Sequence, residues 1–160
     1  SDAGLNIGQK VPLHVKVLLN DKETDLAEVL ETGPIILFFT RSVEWCGFCQ
    51  AQLKGINKIQ SDIAERGYQI VALSYDQPEK QRKFIEAQKI DFKMLSDQSS
   101  ELIDAFKLRD PQYTEGRAEG VPVATVVIIG KDGRIKSKTI SGVHSIRPTN
   151  AEVLALIDSI

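Results

Sequence analysis

Five consecutive apolar residues, Ile35-Ile36-Leu37-Phe38-Phe39, are followed by a short segment, Thr40 to Trp45, and then by two cysteines three positions apart, Cys46 and Cys49. No other stretch constrains the fold as much. A strand that is apolar on both faces reads as a central strand covered by helices on each side. Downstream, Cys49, Leu53, Ile56, Ile59 and Ile63 recur at helical spacing, which predicts one long amphipathic helix starting near Cys46 and stopped by Gly67. The cysteines therefore fall where a buried strand hands over to a helix.

The rest of the chain fits around that junction. Residues 11 to 19 read as a strand leading into the turn Asn20-Asp21-Lys22, Asp25 caps a short helix through Leu26, Val29 and Leu30, and Gly33-Pro34 ends it. Tyr68 to Ser74 is a second buried strand, and Pro78 opens a helix carrying Phe84, Ile85 and Ala87. Phe92 to Leu95 reads as a short strand, and Asp97 precedes a helix with Leu102, Ile103 and Phe106. Residues 107 to 120, charged and interrupted by Pro111 and two glycines, form a surface loop. Val123 to Ile129 and Arg134 to Ile140 flank Gly130-Lys131-Asp132-Gly133, whose Asp-Gly step suits a tight hairpin. Thr149-Asn150-Ala151-Glu152 is a capping box ahead of Val153, Leu154, Leu156 and Ile157. This order predicts a single α/β domain over 1–160, with helices on both faces of a mixed sheet. The right-handed crossover rule puts strand 35–39 in the middle, its carboxyl end carrying the cysteine loop.

A net charge of −2 supplies no electrostatic reason to expect nucleic acid or an anionic membrane as partner. No apolar run approaches the roughly 18 to 20 residues a membrane span needs, and no signal peptide is recognisable. The lead Ser1-Asp2-Ala3-Gly4 reads as a cloning scar or as the stub of a removed leader. With only two cysteines there is no disulfide framework, and since structural zinc needs four ligands and the chain offers the pair only His14 and His144, neither metal nor cofactor is expected.

Cys-x-x-Cys at a helix start brings two sulfurs within bonding reach, where unsatisfied N–H groups and the positive end of the helix dipole stabilise a thiolate. Cys46, at the tip, is the expected exposed nucleophile and Cys49 the buried resolving thiol. The expected cycle runs through a mixed disulfide with a protein dithiol or disulfide partner. Trp45, next to the nucleophile, is a candidate docking surface.

With the strand, the Trp45-Cys46-Gly47-Phe48-Cys49 helix start, Val121-Pro122 and the closing hairpin in this order, residues 5 to 160 resemble the thioredoxin superfamily. An N-terminal strand pair and an inserted strand-helix unit at about 75 to 106 are most similar to the branch of TlpA/ResA-type reductases and alkyl hydroperoxide reductase/thiol-specific antioxidant redoxins. The resemblance implies a three-layer α/β/α thioredoxin fold, a thiol–disulfide oxidoreductase acting on protein disulfides as a monomer, and an extracytoplasmic setting, with the cytoplasm as the alternative. It also implies that Pro122 is a cis-proline packed against the disulfide, leaving the Val121 backbone free to pair with a substrate strand. The thioredoxin aspartate that assists the resolving cysteine would fall within Leu37-Phe38-Phe39, which holds no acid; Glu44 is the nearest carboxylate and the candidate proton acceptor. Two other functions stay open. A peroxiredoxin-like thiol peroxidase would place its peroxidatic cysteine at Cys49 and expects an arginine near Val123 or Ala124, which the chain lacks, with Arg41, Arg109 or Arg117 as substitutes. A copper chaperone would bind Cu(I) through Cys46, Cys49 and a histidine.

Overall fold

The computed structural model describes residues 3–160; Ser1 and Asp2, the start of the Ser1-to-Gly4 lead, lie outside them. Seven strands form one mixed sheet: β1 (Val17–Leu19), β2 (Lys22–Thr24), β3 (Ile35–Phe39), β4 (Gln69–Ser74), β5 (Lys93–Ser96), β6 (Thr125–Ile129) and β7 (Ile135–Ile140), in the order β2-β1-β5-β4-β3-β6-β7. Strands β3, β4 and β5 run parallel, as the helical crossovers between them require, and the remaining pairings are antiparallel. The inserted unit contributes β5, and the β1–β2 pair extends the sheet beyond it, as expected.

The two faces of the sheet show why β3 is apolar throughout. Ile35, Leu37 and Phe39 point to a core completed by Leu26 and Val29 of α1 (Leu26–Val29) and by Leu102 and Ile103 of α5 (Glu101–Ala105). Ile36 and Phe38 point the other way, to Leu53 and Ile56 of α2 (Gly47–Asn57), Ile63 of α3 (Gln60–Glu65), Phe84 of α4 (Pro78–Gln88) and Val153 and Ile157 of α6 (Asn150–Asp158). Alternation along one strand thus feeds two cores and fixes the register. The local caps behave as their residue types dictate. Asp25 accepts from the Glu28 N–H at 2.9 Å, and Asp97 takes the N–H groups of Leu102 and Ile103 at 3.1 and 2.8 Å. Thr149 and Glu152 close both halves of the capping box, at 3.1 and 2.9 Å. In the hairpin, Gly133 adopts φ 81°, the positive angle its turn needs.

Three expectations need correction. The helix after Cys46 is two helices, because the N–H groups of Lys58 and Ile59 turn back to the carbonyls three residues earlier, Gly55 and Ile56, and tighten the chain out of the α pattern. The strand expected over 11–19 shrinks to Val17–Leu19; Pro12 lacks an N–H, and Val11 instead donates to the Gly133 carbonyl at 2.8 Å, across to the hairpin turn. Pro122 is not a cis-proline, since the described residues contain no cis peptide. Its segment runs extended against 108–110: the Asp110 N–H donates to Val121 O at 2.9 Å, and the Val123 N–H donates to Leu108 O at 2.7 Å. This pairing is satisfied in the trans form, and it occupies the Val121 carbonyl that was expected to face a substrate strand.

Candidate active site

Strand β3 ends in a polar loop whose shape is set by one buried carboxylate. Asp76, just past the end of neighbouring β4, accepts from Ser42 Oγ at 2.8 Å and from the Val43 N–H at 2.7 Å. Ser42 Oγ in turn accepts from the N–H groups of Glu44 and Trp45, at 3.0 and 3.2 Å. Burial pushes the Asp76 carboxyl above its ordinary range, while the Val43 N–H and the hydroxyls of Ser74 and Ser42 pull it back. The loop thus delivers Cys46 to the start of α2 as its N-cap, with Sγ accepting from the Cys49 N–H at 3.3 Å and no acidic side chain in the first turn.

Cys46 and Cys49 are joined in a disulfide, their Cα atoms 5.3 Å apart. Cys49 is 0% exposed and Cys46 3%. The exposed nucleophile expected at Cys46 is therefore not what the closed form shows: bonded to the inward Cys49, Cys46 is nearly as buried as its partner. The Arg41 N–H donates to Cys49 Sγ at 3.3 Å, and Arg147 Nη2 reaches the same sulfur at 3.3 Å.

Trp45 is half-buried and clamped. Its Nε1 donates to the Tyr75 hydroxyl at 3.0 Å, and that hydroxyl donates to the Arg117 carbonyl. The guanidinium of Arg117 lies 4.7 Å from the centre of the indole ring and that of Arg41 5.1 Å, and Arg41 also lies 5.1 Å from the Tyr113 ring. Arg41 is only 8% exposed, and its buried Nε has no hydrogen-bond partner. Glu44 turns away to Lys80 Nζ at 2.8 Å and makes no contact with either sulfur. Val121 is fully buried, whereas Pro122 reaches the wall of a groove of about 500 Å³ that also involves Arg41, Ala124 and His144. His14 faces Asp25 and His144 stacks edge-on to Phe48. Among the described residues no group of three or more His, Cys, Asp or Glu could hold a metal, and this geometry gives the copper reading no third ligand.

Sequence reasoning missed Asp76, Ser42, Tyr75, Gln52 and Arg147. Asp76 carried a usable signal, since it follows a buried parallel strand beside β3, where open α/β sheets place polar function. Arg147 carried none. It comes from the segment between β7 and α6, and α6 is moored to α2 by Asn150 Nδ2, which donates to the Gly55 carbonyl at 3.1 Å. Burial, and secondarily the charge of Arg41, push the Arg147 guanidinium down to about 10, which still leaves it cationic at neutral pH.

A closed Cys-x-x-Cys disulfide at the helix end of a central parallel strand, in a mixed sheet flanked by helices, defines a redox enzyme of the thioredoxin superfamily. The model of the AhpC/TSA family matches residues 7–138, and the chain belongs to that family. It is similar to a thiol-disulfide oxidoreductase ResA of Bacillus cereus, 25% identical over 137 residues that make up 85% of this chain and 70% of the relative. The ResA of Bacillus thuringiensis subsp. konkukian is 23% identical, over 82% of this chain and 68% of the relative. Among solved structures, peroxidoxin BcpB of Mycobacterium tuberculosis superposes with a TM-score of 0.81 at 21% identity, covering 96% of this chain and 97% of its own. A cysteine-to-serine mutant of peroxiredoxin 6 from Arenicola marina reaches 0.86 at 20% identity, covering 98% and 73%. At these identities the superpositions speak for the fold.

Proposed function

We propose that this redox enzyme is a thiol–disulfide oxidoreductase that exchanges electrons with a protein partner through Cys46 and Cys49. The observation that carries the reading is the Cys46–Cys49 disulfide itself, held at the amino end of α2 with no acidic residue in its first turn. A macromolecular partner is favoured by the apolar rim. Phe48 is half exposed beside the pair, and the segment that reaches the site through His144 and Arg147 also exposes Val143 and Ile146. Docking would use this rim, Trp45 and the groove at Pro122. The ResA relatives support the reductase assignment, and the extracytoplasmic setting rests on resemblance to that branch.

Reduction of insulin disulfides with dithiothreitol as electron donor tests the proposal. Cys46→Ser should abolish turnover, and Cys49→Ser, reduced and mixed with insulin after the dithiothreitol has been removed, should stall as a mixed disulfide between Cys46 and an insulin chain, visible as an added mass that fresh dithiothreitol removes. A Cys49→Ser protein that forms no such adduct and turns over normally would refute the two-thiol cycle.

The peroxidase reading retains one specific observation, the guanidinium of Arg147 against Cys49. Saturable consumption of hydrogen peroxide by the reduced protein, lost in Cys49→Ser and not in Cys46→Ser, would favour it over the reductase.

A further inference from the structure

The guanidinium of Arg147 lies against the disulfide without a carboxylate counter-ion, while Arg41 meets Cys49 through its backbone N–H and lays its side chain on the Trp45 and Tyr113 rings. Neither Arg41 nor Arg147 takes part in an ion pair among the described residues. Arg147 is held in three directions. Nε donates to the His144 carbonyl at 2.7 Å, Nη1 donates to Gln52 Oε1 at 2.7 Å, and Nη2 is directed at Cys49 Sγ at 3.3 Å. Gln52 stands on α2 one turn beyond Cys49, so the helix that carries the sulfur also carries the group that aims the cation. A half-buried guanidinium with two neutral acceptors and a sulfur is short of one anion, and opening the disulfide supplies one.

We propose that Arg147 is a catalytic residue of the exchange reaction, holding Cys49 as a thiolate whenever the disulfide opens, so that the site works without a carboxylate base. The proposal rests on the two-thiol reading above. In the reducing direction a partner thiolate attacks Cys46, the Cys46–Cys49 bond breaks, and its electron pair leaves on Cys49, where Arg147 and the Arg41 N–H receive the charge. A second partner thiol, losing its proton to water, then attacks the mixed disulfide. Cys46 leaves as a thiolate and takes a proton from water, the partner ends as a disulfide, and this protein ends with two more electrons, as a Cys46 thiol and a Cys49 thiolate. In reverse, Cys49 is already ionised and attacks the mixed disulfide directly. A better-stabilised leaving thiolate speeds the first direction and raises the reduction potential, because only the reduced form contains it.

The other charged groups around the site are committed elsewhere. Asp76 holds Ser42 and Val43, Glu44 pairs with Lys80, Arg109 pairs with Asp104, and Arg41 and Arg117 lie on the Trp45 ring. Asp110 binds the Gln112 N–H, and His144 packs on Phe48. None of the carboxylates stands between Arg147 and the sulfur.

The test isolates Cys49 by placing Cys46→Ser beneath every variant and titrating thiolate absorbance at 240 nm. Removing the cation with Arg147→Gln should raise the Cys49 pKa by about one unit, the lower end of what an adjacent opposite charge confers. Arg147→Lys should restore part of it, and Gln52→Leu, which leaves the charge but releases its aim, should fall between. In the two-cysteine protein the same tenfold loss lowers the reduction potential by about 30 mV, and the bend in its dependence on pH moves upward with the Cys49 pKa. A local packing defect that admits water to the buried Cys49 would lower its pKa, the opposite sign, and lysine would not rescue it. An unchanged Cys49 pKa in both Arg147→Gln and Gln52→Leu overturns the proposal, and if Cys49→Ser still traps insulin the two-thiol reading survives it. A raised pKa in a protein that traps nothing supports the role of Arg147 in ionisation while refuting the reductase reading.

Discussion

Asp76→Asn tests whether one carboxylate shapes the loop that presents Trp45 and Cys46. Asp76 is 6% exposed, and its two oxygens serve two donors, Ser42 Oγ–H at 2.8 Å and Val43 N–H at 2.7 Å. Asparagine keeps the shape but has one acceptor oxygen. Its amide nitrogen must face either the Val43 N–H, donor against donor, or Ser42 Oγ, which already receives the N–H groups of Glu44 and Trp45. One buried polar group is left short of a partner, at a cost of about 1–3 kcal/mol. Relief of the buried charge works the other way, so a net loss of about 1–2 kcal/mol is expected at pH 7. The pH dependence has a definite sign. Burial raises the Asp76 pKa in the folded state, so the native protein holds this proton more tightly than the unfolded chain. Its contribution is complete below the unfolded value of about 3.9 and declines as pH rises through the folded one. The stability gap between wild type and Asp76→Asn is therefore widest in acid and narrows toward neutrality. Asp97, also raised by burial, is common to both proteins and cancels. Urea unfolding of the oxidised proteins from pH 3 to 7, followed by the fluorescence of the single tryptophan, measures it. Equal stabilities throughout, or a gap that widens toward pH 7, would refute the reasoning.

Two further changes probe the surroundings. Thr149→Ala removes the oxygen that accepts the Glu152 N–H at 3.1 Å and should cost about 1 kcal/mol in the same unfolding assay. Glu44→Gln should leave the pH profile of insulin reduction unmoved, because the carboxylate engages Lys80 and not a sulfur; a profile shifted to higher pH would restore Glu44 as the proton acceptor.

The fold was legible where one periodicity dominates. Ile35–Phe39 is apolar at both odd and even positions, and only a strand with a core on each side uses such a pattern. The caps at Asp25, Asp97 and Thr149 were legible because each involves residues within six positions, so the local sequence contains both partners. Legibility failed where the deciding partner is distant. The stretch over 11–16 has apolar residues enough for a strand, yet Val11 pairs with Gly133 at the far hairpin, a contact no window around residue 11 contains. The break between α2 and α3 was hidden for another reason: Ile56, Ile59 and Ile63 keep helical spacing across it, and a single turn of tighter geometry leaves the apolar stripe intact.

The same division separates the cysteines from the residues that govern them. Cys46 and Cys49 announce themselves because the spacing that lets them bond is a spacing in sequence. The residues that surround them come from four separate segments: Arg41 after β3, Asp76 after β4, Arg117 in the loop before β6 and Arg147 ahead of α6, of which Arg41 and Arg147 reach Cys49 Sγ. Glu44, the carboxylate nearest the cysteines in sequence, is the acceptor expected if a buried resolving thiol must hand its proton to a base. The structure offers a different solution to the same problem. A cation that favours the ionised sulfur lowers the cost of losing that proton to water, so no acceptor has to be stationed there. A lone arginine in a loop is indistinguishable in sequence from any solvated charge. Only the mooring of α6 to α2 through Asn150 and Gly55, together with Gln52 on the turn after Cys49, makes it part of the redox pair.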